Sequence, residues 1–321
     1  MNTKEIKNRT RAISNTRQVT RAMEMVSAVK MRKSQAIALA TRPYALKALE
    51  ILSHFGVEQG EEMQENILLK GRAGGKVIIV PLTSDKGLIG SFNANVLRES
   101  GALLKEYRRT GVSVELVVLG ERSRAHYEQL GLPIAAHFKG MGDYAEASQT
   151  RPLSEYLMNR YIREDIKEII VVYTEFISTL KQRVTHRKFL PITPQILKDI
   201  AADIIPESGR YAETRDKGPS STPSELRGGK REERNSHEYL YEPNARELLE
   251  TLLPILLDTY MYHIVLESNA SEHSARMVAM KNASDNAKEI LGQLTLSYNK
   301  ARQSSITAQV NEIVAGAEAL T

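Results

Sequence analysis

The chain has 321 residues and a mass of 35.9 kDa, with 41% apolar, 26% charged and only 6% aromatic residues, and a formal charge of +5. These are the proportions of a soluble chain of up to two domains, and the thin aromatic content favours long helices over a compact enzyme core. The absence of cysteine excludes disulfides, thiolate metal sites, iron–sulfur clusters and a cysteine nucleophile.

Met1 to Arg42 contain neither glycine nor proline, so the spacing predicts one helix that Pro43 ends, about 42 residues and roughly 60 Å long. Val19, Met23, Val26 and Val29 recur at spacings of four and three and predict an apolar seam. Ten Lys or Arg in this stretch face only Glu5 and Glu24, a net of +8, so the remaining 279 residues carry −3. The basic character of the protein is mostly one helix. Its start, with Lys4, Glu5 and Lys7, never reaches the apolar core of a secretory signal.

The middle of the chain alternates. Lys76 to Thr83 reads as a buried strand, Ser84 to Gly90 as a turn and Asn93 to Arg109 as a helix. Ser113 to Leu119 is a second strand, Tyr144 to Arg163 a second helix and Glu168 to Phe176 a third strand, with a weaker fourth at Val184 to Leu190. Strands alternating with helices indicate a mostly parallel, doubly wound α/β sheet. Gly87-Leu-Ile-Gly90 sits between strand and helix, where a phosphate binds in nucleotide-binding folds. It lacks both the three-glycine dinucleotide fingerprint and the lysine-containing phosphate loop, so a tight turn is the favoured reading over a dehydrogenase-like enzyme. None of the seven histidines pairs at helical ligand spacing, and neither a metal site nor a serine–histidine–acid arrangement emerges from linear spacing.

Pro206 to Ser236 breaks the pattern: 12 of its 31 residues are Gly, Pro or Ser and 13 are charged, and only Tyr211, Ala212 and Leu226 are apolar. Such a segment buries too little to offset its ordering entropy and is expected to be a mobile insertion. Leu252 to Leu266 is the most apolar stretch, about 15 residues interrupted by Pro254, Asp258 and His263, against the roughly 20 that a membrane span needs. Ile255 to Ala315 predicts a helix of about 61 residues. Met277, Met280, Ser284, Ala287, Leu291, Leu294 and Tyr298 alternate by three and four, the seam of a coiled coil; Ile306, Val310, Ile313, Ala317 and Leu320 continue it with shifted phase. Gln303 to Asn311 carries no charge, and such a smooth helical tip suggests a partner socket. Four parts follow: residues 1–70 as the first shaft helix and a helical segment, 71–200 as the α/β domain, 201–242 as the polar loop, and 243–321 as the second shaft helix.

Five separated motifs carry a resemblance over nearly the whole chain. They are Lys4-Glu-Ile-Lys7 with Ile13-Ser-Asn-Thr-Arg-Gln-Val-Thr-Arg-Ala-Met-Glu-Met-Val26 and Lys30-Met-Arg-Lys-Ser-Gln35; Thr83-Ser-Asp-Lys-Gly-Leu-Ile-Gly-Ser-Phe-Asn93; Tyr239-Leu-Tyr-Glu-Pro243; Ser271-Glu-His-Ser-Ala-Arg-Met-Val-Ala-Met-Lys281; and Tyr298-Asn-Lys-Ala-Arg-Gln-Ser-Ser-Ile-Thr307. In this order they resemble the gamma-subunit family of rotary ATP synthases.

The resemblance implies that the terminal helices form a long antiparallel coiled coil beside a Rossmann-like α/β domain. It implies a rotor shaft inside a ring of three alpha and three beta subunits, also touching the epsilon subunit and the membrane c-ring. Such a shaft has no catalytic site, metal or cofactor of its own. By the same resemblance Met23, Arg276, Arg302, Gln303 and Thr307 match positions that meet beta, and Tyr239, Tyr241 and Glu242 match the segment near epsilon and the c-ring. A match that begins by residue 4 implies a peripheral protein on the cytoplasmic face of a bacterial plasma membrane rather than an imported organelle protein.

The chain departs from the family at Ile89 and Ser91, where cysteine and glycine are frequent. The lack of cysteine also excludes thiol control of the 206–236 loop. A basic helix beside a coiled coil is also how basic-zipper proteins hold DNA, but those place the zipper directly after the basic region. Here a sheet domain intervenes, and no nucleic-acid partner is expected.

Overall fold

The computed structural model describes residues 3–58, 66–143, 145–192 and 245–318. The insertion expected at 206–236 lies outside these residues. In chain order the elements are α1 (Thr3–Glu58), β1 (Lys76–Pro81), α2 (Phe92–Arg109), β2 (Val114–Leu119), α3 (Glu121–Gln129), β3 (Ile134–Phe138), α4 (Ala147–Arg163), β4 (Ile166–Phe176), β5 (Gln182–Leu190) and α5 (Ala245–Glu318).

The five strands form one sheet in the order β3-β2-β1-β4-β5. β1 to β4 are parallel, and β5 returns antiparallel to β4 with Tyr173 opposite Thr185. The chain steps outward from β1 through β2 to β3, then crosses back to place β4 on the other side of β1. The order reverses beside β1, the position of a topological switch point.

Alternation along the strands gives two cores. Val77, Ile79, Leu116, Val118 and Val172 face Val96, Leu103 and Leu104 of α2 and Tyr127 of α3. Ile78, Val80, Val117, Ile169 and Val171 face Leu153, Leu157 and Tyr161 of α4 and the first turns of α5. A sheet covered on both sides needs strands with continuous apolar runs, and β1 and β4 carry them at 77–80 and 169–173.

Four expectations are corrected. α1 does not stop at Pro43 but runs to Glu58. Proline withdraws one bond, to the Leu39 carbonyl, and the helix-forming run that follows bridges that local loss. α5 likewise starts at Ala245 rather than after Pro254, because Leu249 and Leu253 bury at 2% and 0% exposure and hold the turns before the proline. α3 and β3 had no counterpart in the sequence reading. α3 is ERSRAHYEQ, a polar run that buries only Ser123 and Tyr127, and β3 is an edge strand with no fully buried residue.

The fourth correction concerns α1. The strip Val19, Val26 and Val29 is not a buried seam: these residues are 54–60% exposed. The buried side instead follows Ile6, Thr20, Ser27 and Ser34, each 8% exposed or less, with half-buried Ile13 completing a seven-residue repeat. Two of these hydroxyls bond their own helix: Thr20 Oγ1 donates to the Arg17 carbonyl at 3.0 Å and Ser27 Oγ to the Met23 carbonyl at 2.7 Å. On α5 the predicted seam does turn inward, with Met280, Ser284, Ala287 and Leu294 at 5–9% exposure.

The described chain separates into two compact units. One contains the sheet, residues 30–87 and 91–272. The other contains residues 1–29, 88–90 and 273–321 and is built from the two helices plus the tip of one turn. The early part of α1 thus groups with the late part of α5, and the late part of α1 with the start of α5.

In length and composition α5 would pass as a membrane-crossing helix, but half of its most apolar stretch is buried. Its early leucines and Met261 pack on the sheet, so the sheet accounts for that apolar composition.

Candidate functional site

Two surfaces stand out, one in each unit. In the helical unit, α1 and α5 each turn a narrow small-residue seam inward and leave apolar residues outside. Val19, Met25, Val26 and Val29 form a strip on α1, with Met23 half-buried at its edge. On α5 every side chain from Arg302 to Ala315 is exposed, including Ile306, Val310, Ile313 and Val314. Among the described residues nothing covers the shifted run foreseen at Ile306, Val310 and Ile313; the side chain of Ala317 and all of Leu320 lie outside them.

The candidate positions fall in three places. Arg302, Gln303 and Thr307 lie together within two turns of α5, exposed, with Thr307 Oγ1 donating to the Gln303 carbonyl at 3.0 Å. Arg276 is 8% exposed, its guanidinium 3.3 Å from His273 Nδ1. Met23 sits on α1 in the same unit. Tyr239, Tyr241 and Glu242 lie outside the described residues.

In the sheet unit the crevice at the carboxyl ends of β1, β2 and β3 is where a doubly wound fold binds ligands. Here it is closed. A cavity of about 10 Å³, lined by Thr83, Asp85, Gly120, Gly140, Asn269 and Glu272, has room for about one water and none for a nucleotide. Asn269 Nδ2 donates to the Met141 carbonyl at 2.6 Å. Thr83 Oγ1 accepts from the Ser123 N–H at 2.8 Å. Gly120 has φ 92°, and a Cβ there would collide with the Thr83 carbonyl, so only glycine passes β2 into α3.

Asp85 occupies the middle of this crevice. One carboxylate oxygen accepts the Glu121 N–H at the head of α3 (3.1 Å) and the other accepts the Gly140 N–H after β3 (3.0 Å). Sequence reasoning did not single this residue out. Its place in a strand–turn junction was visible, but its partners are 36 and 55 residues away. Among the described residues no group of three His, Asp or Glu side chains is placed to hold a metal ion.

A buried titrating group of the sheet unit is Glu168, 6% exposed on β4. Burial would raise its pKa, but bonds from Lys188 Nζ (2.7 Å) and the Tyr107 hydroxyl (2.8 Å) outweigh burial, and it lies below the usual carboxylate range. Burial and the same carboxylate push the Tyr107 hydroxyl upward. These groups support β4 and β5 rather than line a cleft.

A family model described as ATP synthase matches residues 2–320. The ATP synthase gamma chain of Roseiflexus castenholzii is 36% identical over 99% of this chain and 98% of its own length. Those of Chloroflexus aurantiacus and Acaryochloris marina are 37% and 33% identical, each over 99% of this chain and at least 98% of their own. Among solved structures, a chain of the Euglena gracilis mitochondrial ATP synthase (OSCP/F1/c-ring, rotational state 3) superposes with a TM-score of 0.61 at 16% identity, covering 99% of this chain and 94% of that one. A chain of the central stalk/c-ring of the Tetrahymena thermophila mitochondrial ATP synthase gives 0.55 at 20% identity, over 83% and 99%. Matched from end to end, with the two long helices and the α/β sheet in place, the chain belongs to the ATP synthase gamma chain family.

Proposed function

We propose that this chain is the central rotor shaft of a rotary ATP synthase, a non-catalytic subunit that turns inside a ring of three alpha and three beta subunits. It couples ion passage through the membrane sector to ATP synthesis and hydrolysis at beta. The relatives bear the name gamma chain, and the similar folds come from a rotor and a central stalk. The single observation that carries the reading is the uncovered end of α5. Ile306, Val310, Ile313 and Val314 stay 51–71% exposed on a helix that continues for turns after its own seam has run out. A contiguous apolar surface of this kind marks a binding site for another protein.

Coupling by such a shaft is linkage. Each orientation favours one state of a surrounding site through differential contacts, and that site biases the shaft in return. The ten basic residues of the first 42, set against two acidic ones, would turn beside acidic surfaces of beta. Met23, Arg276, Arg302, Gln303 and Thr307 are assigned to contacts with beta, and Tyr239, Tyr241 and Glu242 to contacts with epsilon and the c-ring. The complex is membrane-associated, and this chain is placed at the cytoplasmic face of the bacterial plasma membrane, held there through its partners. Residues 1–70 are assigned to the first shaft helix and a following helical segment, 71–200 to the α/β domain, 201–242 to an insertion and 243–321 to the second shaft helix.

The test is an affinity tag inserted at Ser220, gentle purification from native membranes, and native mass spectrometry. One copy of this chain with three each of two larger nucleotide-binding subunits is expected. A monomer or dimer, with those subunits in the lysate but never retained, would overturn the proposal.

A further inference from the structure

The turn between β1 and α2 contains an unusual residue. Leu88 adopts φ 64°, the left-handed region, and is 64% exposed. For a residue with a Cβ this conformation is disfavoured and persists only when its surroundings over-determine it. No burial of the Leu88 side chain offsets that cost. Beside the burial of the neighbouring Ile89, the base of the turn supplies a constraint.

The base is held in two ways. Ser84 and Asn93 interlock: Asn93 Oδ1 accepts the Ser84 N–H at 3.0 Å, and Asn93 Nδ2 donates to Ser84 Oγ at 2.9 Å. These are neutral bonds between the two ends of the same turn. The Asp85 carboxylate is different, because it reaches the head of α3 and the loop after β3 at once. Both bonds are charge-assisted, and the N-terminus of α3 presents the positive end of its helix dipole to the carboxylate. In a doubly wound fold this is an anion position. Here the anion belongs to the chain, and the remaining cavity of about 10 Å³ leaves no space for another.

We infer that Asp85 is a positioning residue for coupling: its carboxylate is the resident anion of the narrow crevice, and by clamping the heads of α3 and the β3 loop it holds the Ser84–Gly90 turn, and Leu88 with it, in one conformation. The turn tip, Leu88–Gly90, belongs to the same compact unit as the exposed helical surfaces, and Ile89 is 3% exposed within it. The inference rests on the shaft reading for its functional consequence. A tip that wanders would let the helical unit yield under load instead of transmitting torque.

Asp85→Asn is nearly isosteric, but its amide accepts through one atom only and turns an NH2 toward the other N–H. Asp85→Ala removes both acceptors. Both variants are to be prepared in the intact complex, after the wild-type chain has been recovered with its ring; failure of that recovery counts against the shaft reading alone. Hydrogen exchange and the ratio of ions pumped to ATP hydrolysed are then measured.

The expected result is exchange at the Lys86–Gly90, Glu121 and Gly140 amides faster by roughly tenfold or more, greater in Asp85→Ala. The interior amides of β1 and β2 stay unchanged, and the pumping ratio drops while hydrolysis continues. Wild-type exchange in the turn, or a wild-type pumping ratio, in both variants overturns the inference. So does loosening of β1 and β2 to the same extent as the turn, which would make Asp85 a residue of the fold and not of the turn.

Discussion

One helix contains two different solutions. From Leu249 to Val265, α5 packs on the sheet and buries Leu249, Leu253, Leu256, Leu257, Met261 and Ile264 at 0–2% exposure. From Met280 onward it buries a strip one residue wide, in which Met280, Ser284, Ala287 and Leu294 remain 5–9% exposed, and from Arg302 to Ala315 every side chain is exposed. The first part is a helix of a globular core, with a broad apolar face and large side chains. The second is a coiled-coil seam followed by a surface without cover. Large apolar residues are present throughout, so composition alone does not separate the parts. What separates them is whether other described residues of the chain cover the apolar side chains.

The comparison is broken most directly in the first part. Leu253 is 0% exposed in the core beneath the sheet. Leu253→Ala removes its buried methyl groups and leaves a cavity among α4, α5 and the strands, so the purified chain should lose about 3 kcal/mol or more of unfolding free energy. Denaturant titration measures it. A loss below about 1 kcal/mol would mean that this segment is held no more firmly than the seam.

A smaller effect comes from the charged support of the same sheet. The folded pKa of Glu168 lies below the usual carboxylate range, so its contribution to stability is complete above the unfolded value of about 4.3 and is lost as pH falls through the depressed folded value. Glu168→Gln should therefore cost about 1–2 kcal/mol at neutral pH, with the gap to the unmodified chain closing as pH drops below about 4. Parallel pH titrations of stability for the two proteins decide it. A gap that stays constant down to acid pH would show that the ionised carboxylate contributes nothing.

These differences also mark what was legible in the sequence. β1, β2 and β4 were readable because strands buried on both faces need continuous apolar runs, and the seam of α5 because Met280, Ser284, Ala287 and Leu294 repeat with the helix. α3 was not, since a nine-residue polar helix held by Tyr127 and Ser123 has almost no period to detect. The inward side of α1 was missed for the opposite reason. Val19, Val26 and Val29 give the stronger apolar signal, yet Thr20, Ser27 and Ser34 are the residues that turn inward, and apolarity does not distinguish a seam from a surface awaiting a partner. Asp85 depended on contacts 36 and 55 residues away, which no local pattern contains.

The smallest expected change in stability is at the far end of α5, and it tests the comparison most sharply. Val310 and Ile313 are 51% and 71% exposed, and glutamine is at least as good a helix former as either. The double substitution Val310→Gln with Ile313→Gln should leave the denaturation midpoint of the purified chain within about 0.5 kcal/mol of the original, because no buried contact is lost. The same substitution should lower the fraction of chain recovered with the alpha and beta subunits in native mass spectrometry, because the apolar surface offered to them is gone. Exposed apolar residues that serve only the chain's own fold would give the reverse pattern, a destabilised chain and an unchanged complex. That outcome would place the end of α5 with its first half, as core, and remove the uncovered helix tip as support for a shaft that works inside a ring.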